Sequence, residues 1–169
     1  MAAPGLWPGH AWRAGRLIFP LTHPDGRLLN LHGRACPDAA GDAASGRHDT
    51  LSGPRGYFGA ECLRGSGDEP VVVVEGAFDA PALRAAGVPR VVAVIGVNGW
   101  RWEWARDDAH LVLALDADAI GQARADELER DARVRDLRVG RLLPEAYGGE
   151  KDPAAAWATG RLVLPPGLA

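Results

Sequence analysis

The sequence predicts an α/β protein, a parallel sheet flanked by helices, preceded by a small N-terminal β-hairpin subdomain. Three observations carry this. From Val71 onward, short apolar β-branched runs alternate with helical segments four times, as in parallel sheets with strands buried on both faces and right-handed crossovers. Ahead of them, two extended runs flank a Pro-Asp-Gly turn. The chain has 169 residues, 47% apolar and 24% charged, which is enough for one hydrophobic core with a small appendage.

The elements follow in order. Residues 1–12 are rich in Pro, Gly and Ala and are expected to form a flexible tail. Arg16 to Thr22 reads as a strand, Pro24 to Arg27 as a tight turn and Leu28 to His32 as the returning strand of a hairpin. Residues 37–56 are dominated by Gly, Ala, Asp and Ser, without periodicity, and predict a long loop. Val71 to Val74 is the first buried strand, followed by a helix from Ala80 to Ala86 with Asp79 as its N-cap and Gly87 as its stop. Arg90 to Ile95 is the second strand, and Asn98 to Asp108 is expected to be helical. Leu111 to Leu115 is the third strand, and Ile120 to Arg135 a long charged helix with Ala125, Leu128 and Ala132 on its apolar face. Leu137 to Leu143 is the fourth strand, and Pro153 to Thr159 a short closing helix. The expected division is residues 13–66 as the β-rich subdomain with its loop, 67–162 as the α/β domain and 163–169 as a C-terminal tail.

Composition narrows the function classes. No apolar run approaches the roughly 20 residues of a membrane span, and Met1 to Pro8 lacks a basic segment ahead of an apolar one, so a cytoplasmic protein is expected. Cys36 and Cys62 stand alone, without zinc or disulfide spacing, and read as free thiols. The net charge of −3 argues against a simple basic nucleic-acid binder. Residues 1–66 carry seven Arg against five acids, whereas residues 67–169 carry twelve basic residues against seventeen acids. An acid-rich site still acts on phosphates when divalent cations stand between, because the cations reverse the local sign.

Open parallel sheets bind ligands beyond the carboxyl ends of their strands. Glu75 ends the first strand and Asp116 the third, with Asp118 two residues on, while Lys151-Asp152-Pro153 follows the fourth. Carboxylates crowded along one edge repel, and either protonation or a bound divalent cation relieves them. Glu75, Asp116 and Asp118 suit Mg²⁺, which takes a few carboxylates together with water and substrate phosphate. Each motif alone also has a plainer reading: Glu75 as an acid near a helix N-terminus, the Asp116/Asp118 pair as a helix cap. A receiver-like phosphoacceptor site fails because its first strand should end in adjacent acids, and here it ends in Glu75-Gly76.

The run Val71-Val-Val-Val-Glu75-Gly-Ala-Phe-Asp79, then Val91-Val-Ala-Val-Ile-Gly96, Leu113-Ala-Leu-Asp116-Ala-Asp118-Ala-Ile-Gly121 and Lys151-Asp152-Pro153 together resemble the TOPRIM domain, in the version found in DnaG-type bacterial primases. Order and approximate spacing match over residues 71–153. Leu17-Ile-Phe-Pro20, Asp25-Gly-Arg27, His32-Gly-Arg34 and Gly56-Tyr-Phe-Gly59 are similar to the primase segment that precedes TOPRIM. The resemblance implies a Rossmann-like TOPRIM sheet and Mg²⁺- or Mn²⁺-dependent nucleotidyl transfer, with primer synthesis on single-stranded DNA from nucleotides and a helicase or other replication protein as partner. It further implies Glu75 as metal ligand or general acid/base and Asp116 and Asp118 as metal ligands, with Asp79 and Asp152 at further acidic positions.

Departures from the pattern matter equally. The Lys-Tyr-x-Asn of primases is missing, and Gly46-Arg47-His48-Asp49-Thr50 and Gly53-Pro-Arg55-Gly56 stand in that region. Arg34, Arg47, Arg55 and Lys151 are the candidate nucleotide or strand contacts, although a solvated loop explains Arg47 and Arg55 equally well. Ala154 and Ala155 follow Asp152-Pro153 where the family often has another acid. Trp100 and Trp104 suit core packing, while Trp102 is a candidate for stacking on bases. A TOPRIM nuclease of the overcoming-lysogenization-defect type and a non-catalytic binding module are the alternatives.

Overall fold

Two β-sheets organise the protein, and a two-residue segment stitches them together. The structure, a computed structural model, describes residues 16–35, 48–64, 69–96, 99–106 and 109–169. Strand β1 (Arg16–Thr22) pairs antiparallel with β2 (Leu28–Ala35), placing Phe19 opposite His32. The hairpin turn closes through the Gly26 amide, which donates to the His23 carbonyl. A third strand, β3 (His48–Thr50), adds to the free edge of β2 and sets His32 opposite Thr50 and Arg34 opposite His48. This corrects the expected loop at residues 48–50, while residues 51–56 hold no helix or strand; residues 37–47 lie outside the described residues. Three residues, His-Asp-Thr, carry no apolar alternation, so only the open edge of β2 makes them a strand.

The second sheet is parallel, with the order β5-β4-β6-β7 formed by β4 (Val71–Val74), β5 (Val91–Ala93), β6 (His110–Leu113) and β7 (Arg138–Arg141). Strand alternation divides the four valines of β4 between two core layers. Val71 and Val73 pack with Leu111, Leu113, Ala125 and Leu128 beneath helix α2 (Ala119–Val134). Val72 and Val74 pack with Ala80, Leu83, Tyr147 and Ala156 beneath α1 (Asp79–Ala85) and α3 (Pro153–Ala158). The apolar face read from the sequence of α2 is the buried one: Ala125, Leu128 and Ala132. Beyond Leu164, the chain returns to bury Leu168 in the layer that holds Leu83 and Val88.

Tyr57 and Phe58 join the sheets. Tyr57 exchanges both backbone hydrogen bonds with Thr22 of β1, at 2.8 and 3.0 Å, and Phe58 does the same with Ala93 of β5, at 3.0 and 2.9 Å. Phe19 of the hairpin then meets Phe58 and Phe78 edge-on, with ring centroids 5.3 and 5.4 Å apart. This seam fixes the hairpin over the carboxyl ends of the parallel strands, which is where the site forms.

Two further expectations change. Over residues 99–106 the predicted helix is a single 3-10 turn, Trp102–Trp104, entered from an extended Arg101. Aromatic burial on Tyr57 sets this segment. Trp100 stacks parallel to Tyr57 at 5.9 Å and Trp104 meets it edge-on at 4.7 Å, so the two share a packing partner without a helix. Asp79 is also not the N-cap of α1. Phe78 occupies that position, and Asp79 is the first helical residue.

Candidate active site

Four segments converge at the carboxyl ends of β4 and β6. Glu75 follows β4 directly, and its Oε1 accepts a hydrogen bond from the Asp116 amide at 3.3 Å, so the two strand ends are tied through one carboxylate. Asp116 and Asp118 flank Ala117, whose amide donates to the Lys151 carbonyl at 2.7 Å. That bond draws the loop after β7 to the third strand end, and Lys151 Nζ lies 2.6 Å from Asp152 Oδ2 and 4.0 Å from Asp116 Oδ2.

The glycine of the Asp-x-Asp-x-x-Gly pattern has a steric reason. A Cβ at Gly121 would stand 2.4 Å from the Asp116 carbonyl oxygen, and the Gly121 amide donates to Asp118 Oδ1 at 2.8 Å. Only glycine lets α2 start this close to the strand end that carries Asp116. Gly121→Ala is therefore expected to cost about 1–3 kcal/mol by overpacking, measured as a lower midpoint in thermal or urea unfolding.

The five acids differ in how much of each carboxylate remains available. Asp79 is buried, and its two oxygens accept from the Gly76 amide at 2.9 Å and the Ala154 amide at 3.1 Å, which joins the turn after β4 to the start of α3. Asp118 caps α2, and Asp152 caps α3 by accepting from the Ala155 amide at 2.7 Å while pairing with Lys151. Among the described residues the Asp116 carboxylate accepts no hydrogen bond and that of Glu75 only one, and both line the cleft; Asp118 also keeps one oxygen free but does not line it. Burial, then the Asp116 charge, raises Glu75 above the ordinary carboxylate range. Burial also raises Asp116, against the lowering effect of Lys151. Burial and the facing Asp152 push Asp79 up to about 7.

Among the described residues no three His, Cys, Asp or Glu side chains are already arranged as a metal cage. The donor set nevertheless fits a hard divalent cation: two half-buried carboxylates, both raised by burial, at the floor of an open cleft. Mg²⁺ is held by one or two carboxylates together with substrate phosphate, not by closed protein cages. Glu75 and Asp116 are the pair that would hold it.

The cleft encloses about 1220 Å³. Its floor carries Glu75, Asp116, Lys151 and Asp152, one wall is the hairpin sheet with Phe19, His32 and Arg34, and the other is formed by α1 and α3. Arg34 reaches over the Phe78 ring, 5.6 Å from its centroid, and so brings a cation to the turn after Glu75. His32 is buried with Nδ1 2.7 Å from Thr50 Oγ1, and burial lowers it to about 4, so it is neutral at physiological pH.

The structure thus brings together Glu75, Asp79, Asp116, Asp118, Asp152, Lys151 and Arg34. Arg55 is exposed and does not line the cleft, and Arg47 lies outside the described residues. Trp102 lies on the α2 side of the sheet, away from the cleft. Its ring meets the edge of Trp100 and the Arg135 guanidinium, and its Nε1 donates to Asp131 Oδ2 at 3.3 Å, so packing accounts for it. His32, Thr50, Phe78 and Trp157 also line the cleft, and none of them is among the site residues expected from the sequence.

Residues 72–156, 85 of the 169, match a family model described as Toprim-like. No protein of curated function matches the chain. Among solved structures, the primase fragment of the bacteriophage T7 primase-helicase protein is similar with 18% identity and a TM-score of 0.61, over 85% of this chain and 57% of that one. The Aquifex aeolicus primase, with its zinc-binding and RNA polymerase domains, gives 19% identity and a TM-score of 0.58 over 86% of this chain and 39% of that one. The RNA polymerase domain of Mycobacterium tuberculosis primase gives 22% and 0.57 over 88% and 54%. The chain therefore spans between 39% and 57% of the length of these three structures.

Proposed function

The chain belongs to the Toprim-like family, and from that premise we propose that it performs divalent-metal-dependent nucleotidyl transfer on nucleic acid, of the primase kind: an RNA primer made from ribonucleoside triphosphates on a single-stranded DNA template. The observation that carries this reading is the pair Glu75 and Asp116. Two half-buried carboxylates joined through the Asp116 amide, both raised by burial, lie at the floor of a cleft whose opposite wall offers Arg34.

Mg²⁺ or Mn²⁺ bound there supplies a lowered pKa for a primer 3′ hydroxyl and neutralises charge on the attacked phosphate. The remaining work belongs to the chain. Glu75 keeps Oε1 on the Asp116 amide, which leaves Oε2 for the cation. Asp79 holds the Gly76 turn to the start of α3 and so fixes Glu75 against Lys151. Lys151, largely exposed and beside Asp116, meets phosphate from the floor, and Arg34 meets it from the hairpin wall. Asp118 and Asp152 hold the starts of α2 and α3 and place Asp116 and Lys151. A helicase or polymerase partner is part of the same reading: one similar structure is a primase-helicase fragment, and another holds T7 primase domains with the lagging-strand DNA polymerase.

The test is a gel assay of the chain with single-stranded DNA, all four ribonucleoside triphosphates and Mg²⁺ or Mn²⁺. Short labelled products that require nucleotides and metal are expected. Shortening of the DNA that needs metal but no nucleotides would establish a nuclease instead, and strand binding in EDTA without any product would establish a binding module.

A further inference from the structure

The α1/α3 wall of the cleft is built of small residues, Pro81, Ala82, Ala85, Ala154 and Ala158, around one large one, Trp157. Trp157 is 48% exposed. The other described tryptophans are packed: Trp100 on Tyr57, Trp104 on Tyr57 and beneath Arg101, Trp102 against Trp100 and Arg135. Among the described residues the Trp157 indole has no ring, cation or hydrogen-bond partner. A single exposed apolar side chain needs no explanation on an ordinary surface. This one stands in the same cleft as Glu75 and Asp116, on a helix capped by Asp152, five residues and roughly 7.5 Å along the helix axis from that acid.

We propose that Trp157 is a stacking platform for a base of single-stranded nucleic acid lying in the cleft, a role that rests on the nucleic-acid reading of the site given above. Three observations select this occupant. The cleft, at about 1220 Å³, exceeds the roughly 300–1,000 Å³ of small-molecule pockets, so it accommodates a stretch of strand. Cations stand on two sides for the backbone, Arg34 on the hairpin and Lys151 on the floor. The surroundings of the indole are small, which leaves its face open to a flat partner, and stacking on an aromatic face is sequence-tolerant because every base presents a π-face. Leu17 and Ile18, 48% and 43% exposed on the opposite lip, continue the apolar track.

The experiment measures binding of labelled single-stranded oligo(dT), and of an abasic strand of the same length, to the full chain and to its Trp157→Ala and Trp157→Phe variants in Mg²⁺, with unfolding midpoints confirming that all three are folded. Trp157→Ala is expected to weaken oligo(dT) binding about 5- to 150-fold, the worth of one base stack, with abasic affinity unchanged and Trp157→Phe close to the parent. Unchanged oligo(dT) affinity in Trp157→Ala overturns the proposal, as does an equal loss on both strands. A loss seen with ATP but not with inorganic tripolyphosphate, and absent with the strand, assigns the platform to a nucleotide and overturns it as stated. Failure of the underlying reading looks different: the parent chain then binds neither strand.

Discussion

Glu75→Gln and Asp116→Asn are each expected to lower nucleotidyl transfer by about 10²- to 10⁴-fold while leaving the unfolding midpoint in metal-free buffer unchanged or higher. The two halves of this expectation share one cause. Both carboxylates are raised by burial, and Glu75 is raised further by Asp116, so each is less stable ionised in the fold than in water. A neutral isostere removes that penalty. The carboxamide introduced by Glu75→Gln retains an oxygen for the Asp116 amide, so the strand-end tie survives. Loss of activity without loss of stability marks groups retained for chemistry at the expense of the fold. Parallel turnover assays and thermal scans of the two variants check it, and a midpoint lowered in step with activity would assign these acids to structure.

Asp79→Ala is expected to have the largest effect on the fold, about 3 kcal/mol, or about 6–12 °C in the midpoint of a chain this size. It strands two backbone donors, the Gly76 and Ala154 amides, and unfastens α3 from the turn that carries Glu75. The pH dependence carries a further sign. Asp79 is raised to about 7 from an ordinary 3.8, mainly by burial and by Asp152. A raised carboxylate favours the folded state in its neutral form, so its contribution is fully present below pH 3.8 and is lost as pH rises through about 7. Urea unfolding of the parent chain and Asp79→Asn at several pH values should show the parent's advantage shrinking between about pH 4 and 7. An advantage that grows with pH would mean that the two amide hydrogen bonds outweigh burial.

The parallel sheet was legible because its strands announce themselves: Val71 to Val74 is apolar and β-branched at every position, which suits a strand covered on both faces. The acidic floor was legible for the same reason, since residues directly after such strands fall at one edge. What escaped the sequence was set by distant partners. His48–Thr50 is a strand only because β2 has a free edge, and residues 99–106 avoid a helix because Tyr57, far back in the chain, holds the tryptophans. Asp79 looks like a helix cap from its position alone. Its partner at Ala154 lies 75 residues away, and no local pattern points to it. Trp157 carried a weak signal, an aromatic one turn beyond the capping Asp152, which gains meaning only once α3 is seen as a cleft wall. The role of the hairpin was likewise hidden until the Tyr57-Phe58 seam turned its His32 and Arg34 face toward the acids.

The central claim, that Glu75 and Asp116 form a divalent-cation site, is tested most directly by Mn²⁺ binding followed through the loss of its free electron paramagnetic resonance signal. The parent chain is expected to show saturable Mn²⁺ binding that Mg²⁺ competes away and that Asp116→Asn and Glu75→Gln abolish. No saturable binding by the parent chain, or equal binding by both variants, would contradict it.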